Sequence, residues 1–185
     1  MLNTSSVKQG LGVNIAITPL MANALQQWAL MYTNQAPWLN SEVKSLNLPA
    51  AIASEISRAV TIEMEVSVSG SLRADFLAMI MENVVDKLRI HTEYGVAKGG
   101  LMLKPYISGD TIATDFVQAD QFYPVAFDAN GKMTAVVFAD QKTIGASFYT
   151  RLEHHAMTPE GYKIVNAAFR SNTRDMLGTP VPLTS

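Results

Sequence analysis

The sequence predicts an α+β fold in which N-terminal helices, one of them long, pack on an antiparallel β meander or a partly closed barrel. Three observations carry this. Apolar residues recur at helical spacing up to about Tyr94, and from Gly99 onward alternating runs are separated by hairpin turns. The 185 residues, 48% hydrophobic and 16% charged, are enough to bury a core without disulfides or metal staples.

Residues 1–17 are polar, contain Gly10 and Gly12, and have little pattern, so they are expected to form a flexible arm. Thr18-Pro19 then reads as a helix start, with Thr as N-cap and Pro at the first helical position. Leu20, Ala24, Trp28, Met31 and Tyr32 follow on one face, and the helix should end before Pro37. Trp38 is expected to anchor that turn on the core. A second helix is expected from about Leu48 to Val60. Ile52, Ile56, Ala59 and Val60 share one face, and Ala50, Ala51 and Ala53 would allow close approach of another element.

Thr61–Ser67 alternates in period two and reads as a half-buried strand. Gly70-Ser71 should stop it and cap the longest helix, about Leu72–Tyr94, along the stripe Leu72, Phe76, Leu77, Ile80, Val84, Val85 and Leu88. Six strands are expected next: Gly100–Ile107, Thr111–Val117, Gln121–Phe127, Met133–Asp140, Ala146–His155 and Gly161–Phe169. Turn signals at Ser108-Gly109-Asp110, at Asp128–Gly131 and around Pro159 join them in pairs. Residues 18–169 thus read as a single domain. Residues 170–185, with Gly178, Pro180 and Pro182, read as an extended linker.

Composition excludes several chemistries. Without cysteine there is no disulfide, thiolate metal site or Cys nucleophile. A net charge of −2 supplies no basic field for nucleic acid. The N-terminus lacks a signal-peptide pattern, and no run approaches the roughly 18 apolar residues of a membrane span, so a soluble protein is expected. Ten methionines fit a filling role in the core.

His154-His155 is the most tempting metal pair. On a strand, however, adjacent side chains point to opposite faces, and His91 is the only other imidazole. One of the pair is expected to face the interior or an interface and the other solvent. Ala97–Gly100 resembles a phosphate loop only faintly, since it lacks the glycine spacing and runs helix to strand. Asp110, Asp115, Asp120 and Asp128 could be imagined as a carboxylate pair, but three of them sit near predicted turns, where Asp is expected. Ser147 has no elbow glycines around it. Lys98 and Lys104, interleaved with Tyr94 and Tyr106, read as ordinary surface and core residues. No catalytic, cofactor-binding or metal-ligating residue is therefore assigned, and the chain is not expected to be an enzyme.

Many ordered blocks nevertheless resemble one family. Ser45–Glu55 within Val43–Val66, then Thr61–Met64, Gly70–Phe76, Glu93–Leu101 and Lys104–Tyr106 are similar to tailed-bacteriophage portal proteins, often described as phage minor capsid or minor structural proteins. Asp115–Pro124, Phe127-Asp128, Gln141-Lys142 and Tyr149–His155 continue the series, which covers about Thr18–Leu183. The resemblance implies a structural subunit of the dodecameric ring at one capsid vertex, through which DNA is packaged and ejected. It implies assembly in the bacterial host cytoplasm, a place in the virion, and capsid, scaffold, terminase and head–tail adaptor proteins as partners. The matched blocks belong to the peripheral wing. The clip, stem, tunnel loop and crown of the family lie beyond them, so DNA contact by this portion is not expected, nor is a membrane partner. As a structural subunit or a fragment of one, the chain should expose apolar surface where further protein packs. An independent phage or prophage-derived adaptor module using a sheet edge is the alternative, and a hydrolase using the turn carboxylates or the His pair is a third reading.

Overall fold

The structure is a computed structural model that describes residues 2–70 and 72–183. Among the described residues four helices, α1 (Thr4–Leu11), α2 (Pro19–Tyr32), α3 (Leu48–Thr61) and α4 (Ala74–Lys98), precede seven strands. These are β1 (Leu101–Ser108), β2 (Thr111–Gln118), β3 (Phe122–Phe127), β4 (Met133–Ile144), β5 (Ser147–Thr158), β6 (Gly161–Ser171) and β7 (Thr179–Val181). All pairing is antiparallel. β1 and β2 form a two-stranded sheet, and β3 to β7 form a five-stranded meander in chain order.

The α+β class, the long helix and the hairpin succession are as the sequence predicts. The six expected strands do not form one meander, and among the described residues no barrel closes. The chain divides into two compact units rather than the single domain expected over 18–169, with boundaries after Gln26 and after Ala119.

In the sheet unit, Tyr123, Val137, Leu152 and Phe169 project from successive strands into one core, which Leu2, Val7 and Leu177 complete. Two of those three come from the stretch expected to be a flexible arm. Asn3 starts α1 by accepting the Ser5 N–H at 3.0 Å, and Gly12 ends it in the left-handed region, its N–H donating to Lys8 O at 2.8 Å. Val7, on this helix, is fully buried. Leu11, Val13 and Ile15 then pack on the same core, and Ala16 N–H donates to Pro124 O on the edge strand at 2.7 Å. Tyr123 Oη donates to Leu2 O at 3.1 Å.

The expected linker is likewise structured. β6 runs on through Arg170 and Ser171, Leu177 enters the core, and β7 pairs with β6. Met1, Thr184 and Ser185 lie outside the described residues, as does Ser71, the expected cap of α4.

In the helical unit, α3 packs along α4, and α4 packs on the β1–β2 hairpin. The α3 contact uses small side chains. Ala53 and Ser57 are buried, and Ser57 Oγ hydrogen-bonds to Arg89 O of α4. The close approach expected for Ala53 is present, while Ala51 is exposed and the apolar face Ile52–Ile56–Val60 points away from the contact. α4 begins at Ala74, two residues after the expected Leu72; Ile80 and Val84 are buried in it, but Leu72, Phe76 and Leu77 of the expected stripe are exposed.

The expected strand Thr61–Ser67 does not form. Thr61 closes α3, and 62–70 pairs with no strand among the described residues. Alternation alone cannot hold an extended segment whose backbone groups find no ladder partner. In the turn after α2, Ala36 is buried and Trp38 is half exposed, so the anchor is the smaller residue. In α2 itself, Leu25 is buried and Leu20 is exposed, which shifts the buried side away from the predicted one.

Candidate functional site

A connected set of ionisable side chains lies on the face of the meander opposite the core. Alternation along β5 sends Leu152 to the core and Arg151, Glu153 and His155 to the other side. Arg151 Nη2 sits 2.8 Å from Glu153 Oε1 and 3.8 Å from Asp140 Oδ2 on β4. Glu153 Oε2 lies 3.3 Å from His155 Nε2, and His155 Nδ1 hydrogen-bonds the Tyr162 hydroxyl on β6. Phe138 meets the His155 ring edge-on at 5.0 Å between centroids.

The line therefore crosses three strands as Asp140–Arg151–Glu153–His155–Tyr162. With His155 neutral, Nε2–H donates to Glu153 and Nδ1 accepts from Tyr162. Glu153 is balanced by Arg151. Such internal matching ties strands together and leaves His155, only 8% exposed, with both ring nitrogens engaged.

The two histidines do lie on opposite faces, as strand geometry requires. His155 is buried although it lies on the face away from the core, and His154, on the core side, is half-buried. His154 sits between Val137 and Val165 on the neighbouring strands. Its Nε2 is buried without a hydrogen-bond partner, and desolvation, helped by His155 and Lys163, pushes its pKa down. No group of three or more His, Asp or Glu side chains converges among the described residues.

The carboxylates weighed from the sequence have separate tasks. Asp128 Oδ1 accepts from Asn130 N at 2.9 Å and Lys132 N at 2.8 Å, closing the β3–β4 turn. Asp115 pairs across the hairpin with Lys104 at 3.3 Å, Asp110 occupies the β1–β2 turn, and Asp120 lies between β2 and β3. Ser147 is buried and its Oγ accepts from the Arg170 guanidinium at 3.2 and 3.1 Å. Lys98 is the last residue of α4. Gly99 follows in the left-handed region with φ of 79°, making the segment a helix-to-strand turn.

Tyr94 belongs to an aromatic group in the helical unit. It meets Tyr32 edge-on at 5.8 Å, and the Tyr32 hydroxyl donates to Glu93 at 2.7 Å. His91 stacks on Phe116 at 4.0 Å, where desolvation and Lys87 depress its pKa.

An open groove of about 730 Å³ runs beside β7 and α1, with Ser6, Gln9, Phe169, Leu177, Pro180 and Val181 among its lining. The β5 polar line and this groove both escaped sequence reasoning. The first had a signal, since Arg151, Glu153 and His155 stand two apart and share a strand face. The second had none, because residues distant in sequence build it.

Apolar surface is the larger feature. On α3, Leu48, Ile52, Ile56 and Val60 are 56, 56, 44 and 60% exposed, and Leu46 is 86% exposed. No helix among the described residues is long and apolar enough to cross a membrane. No protein-family model matches the chain, and no curated protein matches it.

Proposed function

We propose that this chain is a structural subunit, the N-terminal wing-like portion, of a portal assembly of the tailed-phage kind. The carrying observation is the exposed apolar surface on α3 and the first turns of α4, which is expected of a part built to be covered by other protein. The series of ordered blocks resembling portal proteins gives that surface its context. Capsid, scaffold, terminase and head–tail adaptor proteins are the partners this reading names.

The adaptor reading relies on strand addition at an open sheet edge, and both edges of the meander are blunted. β3 carries Pro124 and register shifts, and its Pro124 carbonyl is taken by Ala16. β7 is three residues long with Pro180 at its centre. Proline and short edges discourage pairing with another chain. A hydrolase would need carboxylates free to activate water, whereas Asp115 and Asp128 are engaged in local contacts.

An affinity tag placed in the exposed Asp128–Gly131 turn of the genomic copy tests the assembly reading. Tagged protein should co-purify with DNA-containing phage heads at low, fixed stoichiometry. Its absence from heads, with all of it recovered free, overturns the reading.

A further inference from the structure

We infer that Tyr162 is an activated acceptor hydroxyl, a site at which this chain takes an acyl group from an uncharged, activated acyl donor. The residue is the second of β6 and is 62% exposed, yet its hydroxyl donates to Nδ1 of the buried His155. Strand register fixes the pair. Tyr162 lies opposite Met157, and Ile164 lies opposite His155. Tyr162 and His155 are therefore diagonal neighbours on one face, with ring centroids 5.7 Å apart. Behind the imidazole, Glu153 Oε2 is 3.3 Å from Nε2, and Arg151 anchors the other carboxylate oxygen at 2.8 Å. A base on the hydroxyl, with a third group orienting the base, is the arrangement that activates a nucleophile.

The chemistry balances with the groups in place. Tyr162 Oη bonds to the acyl carbon while its proton passes to Nδ1, and Glu153, a positioning residue, stabilises the imidazolium that forms. The donor's leaving group departs with the electron pair of the broken acyl bond. It takes the proton from Nδ1, which returns His155 to its neutral form. The surroundings choose the donor. Met157 and Ile164, both exposed, flank Tyr162 on this face. Lys163 belongs to the opposite face, and Arg151 is engaged by Glu153 and Asp140. An apolar acyl donor finds contact there, whereas neither cation is offered to the charge of a phosphoryl donor. Other tyrosines are less disposed to react. Burial and the Glu93 carboxylate push the Tyr32 phenol's pKa up, and burial does the same for Tyr123. Tyr106, 44% exposed on β1, has no imidazole on its hydroxyl among the described residues. The face that carries Tyr162 is not the surface on which the assembly reading rests.

Tyr106 on the same chain serves as the internal control. The full chain, H155F and E153Q are treated with N-acetylimidazole, and acetylation of each tyrosine is followed in time by peptide mass spectrometry. Circular dichroism verifies the fold of each variant. In the wild type, Tyr162 should be acetylated about tenfold or more faster than Tyr106, on the low side of what a positioned general base supplies. In H155F the ratio should fall to near one. E153Q keeps the imidazole and its hydrogen bond to Tyr162 but removes the charge behind it, so the ratio should fall several-fold there too. If H155F does not fold, E153Q decides. Equal rates at Tyr162 and Tyr106 in the wild type overturn the inference. So does an unchanged ratio in either folded variant, even one with a lowered urea midpoint, because the network then only ties strands together.

Discussion

Gly12 and Gly178 share a left-handed backbone, with φ of 67° and 73°, but differ in what surrounds them. At Gly12 a Cβ would meet nothing within 4 Å. At Gly178 it would fall 2.1 Å from Arg170 O and 2.9 Å from Ser171 Cα. Gly12→Ala therefore costs only the left-handed penalty, about 1 kcal/mol. Gly178→Ala adds a backbone collision that only displacement of the β7 segment relieves, which would pull Leu177 from the core. The expected loss is several-fold larger than at Gly12, read as the shift in urea midpoint. Equal losses would mean that β7 is not held as described. In the sequence this glycine read as part of an extended linker. Its collision partner, eight residues back on β6, was not visible there, because that proximity exists only after β7 folds onto the sheet.

At the scale of the element, β5 shows what pattern can and cannot reveal. Its alternation predicted opposite faces for His154 and His155. It could not show that His155 is buried on the face away from the core, since that burial depends on Phe138 and Tyr162 of the neighbouring strands meeting its ring. α3 shows the reverse case. Its extent was legible, but the strongest apolar face was the natural choice for the core, and the structure buries the small-residue face instead. Ser57 gains a hydrogen bond to α4 there, and small side chains let two helices approach closely. For β5 the consequence is pH dependence. His154 binds its proton less readily in the fold than in the unfolded chain, because burial strips its hydration. The neutral ring's contribution is fully present above the unfolded value near 6.5 and is lost as pH falls through the lowered folded value. His154→Leu removes both the titration and the unpartnered Nε2. It should be more stable by about 1 kcal/mol at neutral pH, with a gap that widens as pH drops from about 6.5 to 5. Urea midpoints of both proteins across that range decide it, and a constant gap would count against the assignment.

At the scale of the whole molecule, the sequence order of helices then strands pointed to one domain, yet the structure divides into two units that cut across that order. The sheet unit takes its first helix from the stretch read as an arm and its last strand from the stretch read as a linker, at opposite ends of the sequence. Low local pattern misled there because Leu2, Val7 and Leu177 are single anchors, and single anchors have no period. The division can be observed, since Trp28 and Trp38, the only two tryptophans, both lie in the helical unit. Leu152 is fully buried in the core of the sheet unit. Leu152→Ala removes that packing and should cost the sheet unit about 2–5 kcal/mol. Tryptophan fluorescence should then keep its wild-type denaturation midpoint while circular dichroism reports an earlier loss of β signal. Equal shifts by both probes would instead mean that the chain unfolds as one cooperative body. Ala53→Leu, which overpacks the α3–α4 contact, should give the opposite pattern, with the fluorescence midpoint falling first.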